Sequence, residues 1–130
     1  MKKNREKLIQ YWLEAARRDL GVVDTLFKKG HYPYALYFGH LVLEKVLKAY
    51  YVEIVDKQSP YTHQLSYLAE KSLLELSSEQ EDLLEVVSRF NIAGRYPDEK
   101  FEFYKLCTKE YTENYLKKIE EFYQWMLKKF

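Results

Sequence analysis

Glycine and proline are scarce in this chain, at 4 and 3 residues of 130. Few turns can be built from so little, so long regular elements with short connections are expected. Four glycines also exclude a phosphate-cradling loop, and neither G-x-x-x-x-G-K-[ST] nor G-x-G-x-x-G occurs. Cys107 is the sole cysteine, which excludes an intrachain disulfide and any metal site needing two thiolates. H-E-x-x-H and G-x-S-x-G are missing, and His31, His40 and His63 fall in different segments. No catalytic signature, cofactor motif or metal motif emerges. Excess charge of one sign is absent too: 21 basic against 20 acidic side chains leave +1. An extended nucleic-acid surface is therefore not expected, because such surfaces carry a basic excess. The charged start, Lys2-Lys3-Asn4-Arg5-Glu6-Lys7, precedes no apolar leader-like stretch, and no run of about 18 apolar residues could cross a membrane. These absences lead to the expectation of a cytoplasmic protein.

What the chain has in quantity is aromatic: 13 Tyr, 7 Phe and 2 Trp. Tyr fills a core or its rim but needs water or a partner for its hydroxyl. The apolar residues recur at helical spacing. Leu8, Trp12, Ala15, Ala16, Val22, Val23, Leu26 and Phe27 predict a helix over 5–29, capped by Asn4 and ended by Gly30. Asp19 interrupts that stripe and needs a donor, since an unpaired carboxylate there is costly. Pro33 suits the first turn of a second helix, over 34–55, which is apolar nearly all round and so belongs at the centre of a bundle. Its polar strip is His40, Glu44 and Lys48 at four-residue steps, with Lys45 beside it; His40 and Glu44 alone are too few to assign a metal.

Residues 56–61, with Ser59-Pro60, read as a connection, and Thr62 as the cap of a short helix carrying Leu65, Leu68, Ala69, Leu73 and Leu76. Ser78 and Glu81 make a capping box for a fourth helix with Leu83, Leu84, Val87 and Phe90 inward. Asn91 to Asp98, containing Gly94 and Pro97, breaks it. The last helix is expected from about Thr108 to Lys129, with Tyr115, Leu116, Ile119, Phe122, Tyr123 and Met126 inward. The predicted fold is all-α, one domain over 1–130: an up-and-down four-helix bundle with one additional short helix.

Three stretches together resemble the HEPN family of helical domains. They are Trp12-Leu13-Glu14-Ala15-Ala16-Arg17-Arg18-Asp19-Leu20, the segment from Tyr34-Ala35 through Glu44-Lys45-Val46-Leu47-Lys48-Ala49, and Arg95-Tyr96-Pro97-Asp98. Thr62-His63-Gln64-Leu65 resembles the His-x-Leu helix start of the same branch. The resemblance implies a helical bundle, frequent homodimers and one of two roles. Some members are metal-independent ribonucleases with an Arg followed four to six residues later by His; no His follows Arg89 or Arg95 in that window. Others partner a small nucleotidyltransferase in toxin–antitoxin-like modules and help bind a nucleotide. On that reading Arg95 offers a fork for phosphate or carboxylate and Tyr96 a stacking face, Asp98 caps a turn or holds Arg95, and His63, Lys45 and Lys48 are secondary candidates. Two other readings stay open: Arg95 and Asp98 pair to fix a loop while Tyr96 and Pro97 pack on the bundle, or the domain is purely an interaction module.

Overall fold

A computed structural model describes residues 2–93 and 95–130 as six helices with no strand among them: α1 (Lys2–Lys28), α2 (Tyr32–Val55), α3 (Leu65–Lys71), α4 (Ser78–Ser88), α5 (Pro97–Leu106) and α6 (Lys109–Leu127). The expected bundle of four helices plus one short helix is thus revised to six helices, and α5 is the addition. Gly94, expected to break the chain, lies outside the described residues.

The ends of the helices follow local chemistry. Asn4 is not a cap, because α1 already runs from Lys2. Gly30 does end it: with φ at +81° it donates to the Phe27 carbonyl while His31 N–H reaches Leu26, closing a Schellman turn that β-carbon residues resist. The capping box of α4 sits one residue earlier than expected, on Ser77 and Gln80 rather than Ser78 and Glu81. Thr62 does not cap α3, whose N-cap is Gln64; the Thr62 hydroxyl instead accepts from Gln64 N–H. Since α3 stops at Lys71, Leu73 turns outward in a left-handed conformation and is 82% exposed, not inward as expected. Thr108 caps α6, as its position before the last apolar stripe suggested.

Helix α2 is the central element. Twelve of its 24 residues are buried, among them Leu36, Leu43, Val46 and Leu47 with no exposed area. Helix α1 runs antiparallel beside it, with Arg5 bonded to Glu53, Trp12 beneath Lys48, Lys45 paired with Asp19, and Phe27 against Tyr32. Helix α6 runs parallel to α2, from Leu116 and Ile119 at Gly39 to Phe130 at Tyr50. Gly39 allows this approach, because a β-carbon there would stand 2.9 Å from Ile119 Cδ1. Helix α5 is fastened mainly through Phe103, its one buried side chain, against Phe90. No described helix is long and apolar enough to cross a membrane.

Cys107 closes the α5–α6 link. Its thiol is buried, donates to the Phe103 carbonyl, and is pushed up to about 12 by loss of hydration. Only the thiolate is a good nucleophile. Native protein is therefore expected to resist a disulfide reagent such as dithionitrobenzoate at pH 8 and to react fully after denaturation. Rapid reaction of the folded protein would contradict this burial.

Candidate functional site

The four-residue spacing of His40, Glu44 and Lys48 places three polar side chains on one face of α2, where solvent would ordinarily be expected. Neighbours cover them instead, leaving the three residues 0%, 3% and 6% exposed. A carboxylate buried so deeply requires donors. Glu44 Oε2 accepts from Lys48 Nζ at 3.0 Å, and Oε1 accepts from His63 Nδ1 at 2.9 Å. His40 Nε2 lies 3.7 Å from the same oxygen and donates to the His63 carbonyl at 3.1 Å. Burial holds the His40 imidazole below the ordinary histidine value, opposed by the His63 carbonyl and the Glu44 carboxylate, so neutral His40 is favoured. Tyr37 stacks parallel on its ring. On the far side, Lys48 Nζ sits 5.0 Å from the centre of the Trp12 ring of α1, which supplies a π-face to the ammonium.

His63 is the member that reaches solvent, with a half-exposed side chain. It sits on the 56–64 connection, which folds back along α2 from Val55 to the level of His40. Next to it, the Tyr61 ring is 94% exposed and packs edgewise against the imidazole. Two of the secondary candidates, Lys48 and His63, are thus joined through Glu44. Lys45 is not part of this cluster: its ammonium is taken by Asp19, which finds in it the donor its place in the apolar stripe demanded.

The Arg95 segment forms a separate group between α4 and α5. Arg95 is half-buried, and its Nε donates to the Asn91 carbonyl at 2.8 Å. Tyr96 is the N-cap of α5 and 75% exposed, and Asp98 is exposed in the first turn. Among the described residues, Arg95 and Asp98 make no ion pair. The loop-fixing alternative fails for the other half as well, because Tyr96 and Pro97 both face solvent instead of packing on the bundle. Arg89, at the C-cap of α4, is exposed.

Residues 9–130 match the HEPN domain family. The chain belongs to this family. A HEPN domain is a helical domain associated with nucleotide or RNA functions. No curated protein matches the sequence. The fold is similar to that in the crystal structure of TT1696 from Thermus thermophilus, with 19% identity over 94% of this chain and 98% of that one and a TM-score of 0.78. At that identity the likeness speaks for the fold alone.

Three members of the buried network of this HEPN domain, His40, Glu44 and Trp12, were not picked out as site residues from sequence. The signal for Glu44 was present: a His, a Glu and a Lys at four-residue steps on an otherwise apolar central helix. Trp12 carried none, since an aromatic residue in an apolar stripe reads as core.

Proposed function

We propose that this HEPN domain is a non-catalytic binding subunit that takes a nucleotide or similar anionic ligand at Arg95 and Tyr96. In this reading it acts in the cytoplasm as a homodimer and partners a small nucleotidyltransferase in a toxin–antitoxin-like module. One arrangement supports the ligand site above the rest. Among the described residues Arg95 is tethered through Nε only, which leaves its two terminal nitrogens for a bidentate contact with phosphate. The adjacent Tyr96 ring is open to solvent and can stack on a base. The first turn of α5 leaves the backbone N–H groups of Asp98 and Glu99 without a side-chain cap beside them, set against the carboxylates of the same two residues. A partner surface is supported by the apolar side chains left exposed on α5, Phe101 at 63% and Leu106 at 57%.

The ribonuclease reading gains less support. Neither Arg89 nor Arg95 hydrogen-bonds to a histidine among the described residues, and His40 and His63 are both engaged around Glu44.

Calorimetric titration with a nucleotide panel tests the proposal. Wild-type protein should bind at least one nucleoside triphosphate saturably. Arg95→Ala should weaken that binding about tenfold or more, equivalent to about 1.4 kcal/mol or more, while far-UV circular dichroism and Tm stay near wild type. Absence of binding by folded wild type would overturn the proposal, and collapse of the variant's fold would return Arg95 to a structural role.

A further inference from the structure

The 56–64 connection carries a feature beyond the Arg95 segment. An ionised carboxylate can only accept hydrogen bonds, so the 2.9 Å contact with Glu44 places the His63 proton on Nδ1. In the neutral ring the lone pair then resides on Nε2, for which no hydrogen-bond partner is present among the described residues. Glu44 cannot turn away, being buried and held from its other oxygen by Lys48. The result is an imidazole with a fixed tautomer and a fixed acceptor, half-exposed at the surface. The Tyr61 ring, centred 5.7 Å from it at an interplanar angle of 65°, is almost fully uncovered and contributes little to the core. An open aromatic face next to a fixed acceptor suits a flat heteroaromatic group that carries an N–H donor on its rim.

We propose that Tyr61 and His63 form a recognition subsite for an amino-bearing nucleobase of the adenine type, with Glu44 as the positioning residue. The base stacks on Tyr61 and its exocyclic amine donates to His63 Nε2. This rests on the nucleotide-binding reading and gives the base the Tyr61 face in place of the Tyr96 ring offered beside Arg95. The charged and titratable groups facing His63 are Glu44, Lys48 and His40 of α2 and Tyr61 beside it; Trp12 of α1 covers Lys48 without titrating.

The test uses nucleosides, which lack the phosphate that Arg95 would hold. The ¹⁵N-labelled 130-residue chain is titrated by NMR with adenosine and with purine riboside, which lacks the amine. Adenosine should shift Tyr61 and His63 signals saturably, with purine riboside about tenfold weaker, or about 1.4 kcal/mol. His63→Ala and Tyr61→Ala, both at exposed positions, should abolish the adenosine effect. Glu44→Gln, where it retains the wild-type spectrum, should weaken it, and the His63 ring ¹⁵N shifts should then report mixed tautomers in place of the Nδ1–H form. Equal binding of the two nucleosides, or adenosine binding retained in His63→Ala, overturns the subsite. Triphosphate binding that depends on Arg95 but shows no adenosine effect overturns the subsite alone; binding of neither overturns the nucleotide reading with it.

Discussion

Glu44→Ala is expected to lower the stability of this domain by about 3–5 kcal/mol, the usual loss when one partner of a buried ion pair is removed. Glu44 is the only acceptor in the described structure for the Lys48 ammonium, and both side chains are under a tenth exposed. Without the carboxylate, Lys48 is left as a buried charge with the Trp12 face as its sole compensation. The His63 Nδ1 proton loses its acceptor as well, so the 56–64 connection is released on that side. Urea unfolding monitored by Trp fluorescence measures the change, and Tm should fall by roughly 10 °C or more. A second variant separates charge burial from lost packing. Glu44→Leu combined with Lys48→Met removes both charges and keeps apolar volume, so it should recover much of the loss, as apolar replacements of buried pairs commonly do. A double variant no more stable than Glu44→Ala would show that the hydrogen bonds to the connection, rather than the ion pair, dominate.

Leu43→Asp has the larger expected effect. Leu43 has no exposed area and belongs to the core cluster on α2, the helix that packs against α1, α3 and α6. A carboxylate there has no donor and loses its hydration, while the Leu side chain's own burial is also forfeited. Several kcal/mol from each source approaches the whole stability of an ordinary domain, about 5–15 kcal/mol. The variant should be insoluble or show no cooperative thermal transition, and Leu43→Ala should lose about 2–5 kcal/mol yet still fold. A cooperative transition near the wild-type Tm in Leu43→Asp would refute the central position of α2.

Helix α5 and the buried polar row of α2 mark where reading from sequence stopped. The long elements were legible because their apolar stripes repeat over many turns: Ile119, Phe122, Tyr123 and Met126 of α6 are buried as their spacing required. Helix α5 has only Phe103 buried, so its ten residues carry no stripe, and the nearby Pro97 reads as a breaker although it occupies the first turn. The α4 box slipped by one residue because Ser77-Ser78 and Gln80-Glu81 satisfy the same pattern in either register, and local chemistry alone cannot choose. Leu73 counted as a core position until the early end of α3 turned it outward.

By itself, the sequence determined an all-helical chain, the central place of α2, a break after α4 (though not its end, since Pro97 and Asp98 already belong to α5) and the three segments that resemble the HEPN family, since each depends on periodicity or order along the chain. Only the tertiary structure decided which polar residues meet. His63 joins Glu44 across 19 positions because the 56–64 connection folds back along α2, and Lys45 goes to Asp19 because α1 passes on its side. Periodicity can say that a carboxylate will be buried; the donors that make its burial tolerable come from wherever the chain's path brings them.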